Sequence, residues 1–276
     1  MNVEGTNIRS TSYVNDKHEA LKTVIPMMGM RFEMVACDKA FATSDDSVVD
    51  FLDGIMLDSP SVPPFEVKDG KAVAYTLAEK KEADLQFVSG DSQSIQKKKN
   101  GDLMVLVHPR EPENPGRVPY AGSDEDARSA MKSNRYLQSD NERVGELARQ
   151  AVGETKNALE AAEKIEEFVT NFIESKNLSV GYATAGEVAV SGEGDCTEHA
   201  VLTAAMCRAA GIPARVVFGI VYADEFVGEK NVFVGHAWTQ AYVGGKWTGL
   251  DATRPQRGLG GHIAMAVSNG EPSEFY

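Results

Sequence analysis

Positive charge is scarce in this chain of 276 residues: 28 lysines and arginines stand against 41 aspartates and glutamates, a formal net charge of −13. Such a surface repels nucleic-acid phosphate and anionic lipid, which argues against a nucleic-acid partner. Cysteine is scarcer still. The three present, Cys37, Cys196 and Cys207, cannot all pair, and two of them fall on one expected helix roughly three turns and ~16 Å apart, beyond disulfide reach. At least one thiol is therefore free. No run approaches the ~20 apolar residues of a spanning helix, and the first thirty residues hold no apolar stretch of signal-peptide type. As written, the chain reads as soluble, without membrane insertion. A phosphate loop, a dinucleotide glycine pattern and a calcium loop are also missing, so neither a cofactor nor a metal is expected. What remains is ordinary globular composition, 42% hydrophobic and 25% charged, with length for one large or two medium domains.

Residues 1–108 read as a strand-rich module. Met30 to Ala36, Lys71 to Leu77, Leu85 to Val88 and Leu103 to His108 are short apolar or alternating runs separated by turn chemistry such as Asp69-Gly70 and Asn100-Gly101. The last of these turns predicts a hairpin joining Ser92–Gln96 to Leu103–His108. Four of the 11 prolines, Pro109, Pro112, Pro115 and Pro119, crowd into the next stretch, which places a linker over 109–123. Beyond it, over 124–276, the hydrophobic period lengthens from two to about 3.6. Helices are expected over Asp140–Ala151, over Lys156–Ser175 with an apolar side from Ala158 to Ile173, and over Asp195–Ala210, closed by Gly211 and Pro213. A loop is expected over Ser179–Gly194, and strands over Arg215–Tyr222, Val232–Val243 and Lys246–Asp251.

The chemistry concentrates in Gly194-Asp195-Cys196-Thr197-Glu198-His199-Ala200. Asp195 is a good N-cap, Glu198 stands three residues on as in a capping box, and Cys196 becomes the first helical residue. Its sulfur then lies at the positive end of the helix dipole, where a thiolate is favoured. Val243-Gly244-Gly245-Lys246 signals a two-residue hairpin turn, which sets Trp238 opposite Asp251 and Tyr242 opposite Trp247. His236 shares the Trp238 face and lies diagonal to Asp251, within bridging distance for an imidazole and a carboxylate. A one-residue slip would separate them. Cys196 as nucleophile, His236 as base and Asp251 as orienter form the constellation of covalent acyl transfer, with the Cys196 N–H as an oxyanion donor.

These blocks, with Ala-Ala-Gly-Ile-Pro-Ala-Arg-Val at 209–216, Gly-His-Ala-Trp at 235–238 and Trp-Thr-Gly-Leu-Asp-Ala-Thr at 247–253, resemble the bacterial transglutaminase-like core over about residues 140–255. The resemblance implies a papain-like α+β fold, in which the nucleophile helix packs on an antiparallel sheet, here preceded by the β-rich N-terminal domain. It carries the same three roles onto Cys196, His236 and Asp251, and implies a peptide or protein substrate. The superfamily includes cross-linkers, proteases, amidases and inactive scaffolds. Hydrolysis of peptide or side-chain amides through a thioester is favoured here, because no readable feature specifies an amine site. Protein-glutamine acyl transfer and a non-catalytic binding module are the alternatives. The resemblance is to proteins that bacteria often export, so both a cytoplasmic and an exported mature form stay open.

Other candidates read as structural. Cys196-x-x-His199 is half a zinc site at most, and His199 is expected to hydrogen-bond near the helix start. Cys37 and Cys207 read as core thiols, Trp238 and Trp247 as core aromatics, and Asp224–Lys230 as a solvated loop. Tyr182 stands where the superfamily often supplies a side-chain oxyanion donor.

Overall fold

The structure is a computed structural model, and it describes residues 11–27, 30–39, 56–60, 72–77, 87–108, 112, 114–174, 183–255 and 259–269. Three antiparallel sheets and a helical layer are found among them. One sheet holds β1 (Thr11–Val14), β2 (Ala20–Met27) and β3 (Met30–Val35) in sequential order. A second pairs β5 (Val73–Leu77) and β6 (Gln93–Lys97) on either side of β7 (Leu103–Val107). The β6–β7 hairpin is the one expected from Asn100-Gly101. The third sheet runs β10 (Lys246–Leu250), β9 (Glu229–Val243), β8 (Ala214–Phe226) and β11 (His262–Ser268), with β4 (Met56–Asp58) pairing on β9 beyond the reach of β10.

The helices are α1 (Glu125–Ser129), α2 (Glu142–Val152), α3 (Ala158–Phe172), α4 (Ala185–Ser191) and α5 (Cys196–Ala209). Each start is written in the sequence: the side chains of Asp124, Asn141, Asn157, Thr184 and Asp195 accept from backbone N–H groups that the first turn leaves unpaired. Helix α5 is buried on all sides from Thr197 to Arg208, as its small and apolar residues allow. It packs among α2, α3 and α4 on one side and β8 and β9 on the other. Ala161, Ile165 and Val169 of α3, Leu202 and Met206 of α5, and Val216 and Ala241 of the sheet share this main core.

Several expectations are corrected here. The 179–194 segment is not all loop, because Thr184 and Glu187 form a capping box that starts α4. The 224–230 segment is no loop either. Strands β8 and β9 run into it and close through a tight turn at Val227 (φ 49°) and Gly228 (φ 87°). Cys37 is exposed rather than buried. Of the expected strand at Leu85–Val88, positions 85–86 lie outside the described residues, and Phe87 and Val88 are not in a strand. Strands β1, β2, β4 and β11 were not anticipated.

The proline-rich segment lies against the helical layer. Val118 N–H donates to the Lys156 carbonyl at 3.1 Å and Tyr120 N–H to the Gly211 carbonyl at 2.8 Å. A second core also crosses from the early strands to the late ones, joining Val73, Tyr75, Val105 and Val107 with Ile220, Tyr222, Phe233, Ile263 and Met265.

Candidate active site

The hairpin turn decides the site's register. Gly244 (φ 59°) and Gly245 (φ 86°) both occupy the left-handed region, which a tight hairpin turn of this kind demands and glycine alone adopts freely. Lys246 therefore pairs with Val243, Trp247 with Tyr242 and Leu250 with Thr239, the register expected from the sequence. Asp251 follows directly, and its Oδ2 accepts a hydrogen bond from His236 Nε2 at 2.9 Å, with both side chains buried. Nε2 is thus the ring nitrogen that the carboxylate engages, and Nδ1 is the one it leaves.

The start of α5 is built to hold Cys196. Asp195 Oδ1 accepts from Thr197 N–H at 2.7 Å, and Glu198 Oε2 accepts from Asp195 N–H at 3.1 Å. Glu198 Oε1 also takes the Ala183 N–H at 2.8 Å, tying the preceding segment to the helix. Gly194 makes room for this reciprocal cap. Its φ is 149°, and a Cβ there would lie 2.2 Å from Glu198 Cβ. His199 donates from Nδ1 to the Asp195 carbonyl at 2.5 Å, the local role expected of it. Cys196 itself is half-buried at the edge of the main core. Thr239 of β9 donates from Oγ1 to the Ala200 carbonyl at 2.9 Å. That bond fixes α5 to β9 one turn beyond Cys196 and three residues from His236.

Two residues around Asp251 were missed in the sequence. The first is His262 on β11, whose Nε2 reaches the same Asp251 Oδ2 at 2.8 Å. Its signal was a glycine-rich break, Gly258-Leu259-Gly260-Gly261, followed by the apolar run Ile263 to Val267. The second is Glu166 on α3, whose Oε1 accepts the Asp251 N–H at 2.5 Å. A charged residue lying i+4 from Ala162 and i−3 from Val169 interrupts the apolar stripe of α3, which was legible. Asp251 Oδ1 in turn accepts from Thr253 N–H at 3.0 Å and from Thr253 Oγ1 at 2.5 Å.

These contacts set the ionisation states. Burial would push the Asp251 carboxyl up, but the charge and hydrogen bond of His236, with the bond from His262, hold it well below the usual carboxylate range. Burial lowers His262, against the pull of Asp251, and so favours the neutral ring. Burial, with the negative charge of Glu166 beside it, pushes the Cys207 thiol up to about 12, which makes it the inert core thiol expected. His236, Asp251 and His262 form a cluster of possible metal ligands within 4.8 Å of one another. The 2.9 and 2.8 Å separations of the two His Nε2 atoms from Asp251 Oδ2 are those of hydrogen bonds.

Trp238 is buried and stacks on His236, with centroids 6.2 Å apart and planes at 20°. Trp247 is only half-buried and lies under Arg215, whose guanidinium carbon is 3.9 Å from the ring centroid. Tyr182 lies outside the described residues.

Among known proteins, a candidate cysteine protease from Cytophaga hutchinsonii is similar in structure, with a TM-score of 0.52 at 22% identity over 74% of this chain and 78% of that one. The periplasmic domain of TgpA from Pseudomonas aeruginosa gives a TM-score of 0.45 at 16% identity, over 67% and 71%. A comparison with curated proteins yields no match. No helix among the described residues is long and apolar enough to cross a membrane. Residues 145–252 match the family profile of the transglutaminase-like superfamily.

Proposed function

We propose that the protein is a cysteine hydrolase of peptide or side-chain amides, acting through a Cys196 thioester with His236 and Asp251. The observation that carries this reading is the buried 2.9 Å bond between His236 Nε2 and Asp251 Oδ2, set on the strand to which the Cys196 helix is fastened. In the first half-reaction the Cys196 thiolate attacks the amide carbonyl carbon. The oxyanion is received by the Cys196 N–H at the helix start, where the dipole favours negative charge. His236 as imidazolium gives its Nδ1 proton to the amide nitrogen, the C–N bond breaks, and the amine leaves. A water then attacks the thioester and returns its proton to Nδ1, releasing the carboxylic acid and the thiolate–imidazolium pair. Asp251 keeps Nε2 protonated throughout and compensates the positive ring. Hydrolysis is preferred to transfer because transfer needs an amine to outcompete water at the thioester.

The test maps iodoacetamide labelling of the three thiols in the folded protein, and follows intact mass with an activated acyl probe in water or with a primary amine. Fast labelling of Cys196 near neutral pH is expected, with slow labelling of the exposed Cys37 and none of Cys207. Acyl adducts should decay at the same rate with and without amine. Labelling of Cys196 only above ~pH 8, as for an ordinary thiol, would remove the nucleophile. An amine-bearing product would assign transfer instead.

A further inference from the structure

Asp251 Oδ2 is shared by two imidazoles, and only one of them belongs to the proposed triad. His262 is 5% exposed, and its Nδ1 has no hydrogen-bonding partner among the described residues. A neutral imidazole carries one proton. With the Asp251 carboxylate against Nε2 and no acceptor at Nδ1, that proton sits on Nε2 and is donated to Oδ2 at 2.8 Å. The four hydrogen bonds to the Asp251 carboxylate are then complementary: Thr253 supplies two donors to Oδ1, and His236 and His262 one each to Oδ2. The ring of His262 also meets Trp238 edge-on at 5.1 Å, and Trp238 stacks on His236.

The placement of His262 is set from outside the transglutaminase-like segment. Two residues before it, the Gly260 carbonyl accepts from Tyr75 Oη of β5 at 2.8 Å. Two residues after it, Ala264 donates to Gln93 Oε1 and accepts from Gln93 Nε2, both at 2.8 Å, so the side-chain amide of Gln93 on β6 reads the strand as another strand would. Tyr75 and Gln93 are both buried. The β5–β7–β6 sheet thus grips the strand of His262 symmetrically about that residue.

Resting on the function proposed above, the geometry points to His262 as a positioning residue for that reaction, which holds the Asp251 carboxylate in line with His236 and is itself held by Tyr75 and Gln93. It touches no reacting atom. Its effect passes through Asp251 to the His236 ring and so to the charge state of Cys196.

The experiment is the ratio of Cys196 alkylation rates by iodoacetamide at pH 6.5 and at pH 9, where any thiol is reactive, in variants whose near-UV circular dichroism shows them folded, since the ordinary thiol of an unfolded chain would itself lower the ratio. In His262→Phe, which keeps the packing on Trp238 and removes the donor, the ratio should fall by at least about fivefold, the worth of one hydrogen bond. In His262→Gln, whose Nε2 can donate in the same place, it should return to within about twofold of the wild type. A wild-type ratio in His262→Phe, or a ratio in His262→Gln as low as in His262→Phe, would overturn the inference. A wild-type protein that already has the low ratio of an ordinary thiol would instead overturn the Cys196 reading and this inference with it.

Discussion

Replacing Glu166 by glutamine should stabilise the protein, and only at the alkaline end. Glu166 Oε1 takes the Asp251 N–H at 2.5 Å, so a carboxyl is buried beside a second carboxylate. Burial, reinforced by the negative charges of Asp251 and Glu163 and only partly offset by that hydrogen bond, raises it from an ordinary 4.5 to about 7. An acid raised in the folded state binds a proton that the unfolded chain has released. The stability contributed by the protonated form is therefore fully present below about 4.5, declines as pH rises, and is gone above about 7. The displacement corresponds to about 3 kcal/mol. Glutamine keeps the shape and the acceptor oxygen for Asp251 N–H but cannot ionise. The variant should match the wild type near pH 5 and exceed it by about 3 kcal/mol above pH 8, which for a chain of this size is a rise in Tm of about 6–10 °C. Thermal unfolding of both proteins between pH 5 and pH 8.5 measures this, since the titration of every other group cancels in the difference. A Tm difference that stays constant across the range would refute the reasoning, because Glu166 would then be ionised in both states throughout.

Asp251→Asn should lower amide turnover by about 10³-fold or more, as when a triad carboxylate that selects the histidine tautomer is lost. Steady-state kinetics beside near-UV circular dichroism checks it, and unchanged turnover would exclude Asp251 from the mechanism. Gln93→Leu strips Ala264 of a donor and an acceptor partner in a buried strand and should cost about 2–4 kcal/mol. The urea midpoint reports this, and a shift below the error of the fit would mean the early sheet does not grip β11. Gly194→Ala places a Cβ 2.2 Å from that of Glu198 at a φ of 149° and should cost about 1–3 kcal/mol of strain. It should also slow Cys196 alkylation, whereas normal alkylation would show that the cap geometry does not set the thiol.

Much of the site was legible in the sequence because its parts are specified by near neighbours. Asp195 and Glu198 cap α5 and so put Cys196 at its first turn, while Gly244-Gly245 closes a two-residue turn that counts His236 and Asp251 into the same neighbourhood. Caps and tight turns involve atoms within a few residues of one another, and the side-chain period of a strand carries their register outward. The apolar side of α3 was readable for the same reason, and α5 was readable as an apolar run closed by Gly211 and Pro213. The surroundings of Asp251 were decided only by the tertiary structure. The run at 262–268 can pair with any free strand edge, and its residues alone do not say that β8 takes it and brings His262 against Asp251. Glu166 betrays itself as a charge on an apolar stripe, but its partner is the end of β10, 85 residues away in the chain. Nothing near Gln93 or Tyr75 announces that they grip β11, 171 and 185 residues later. Such contacts depend on how whole sheets and helices close over a common core. That closure is selected by the sum of many weak burial terms rather than by any local pattern of residues.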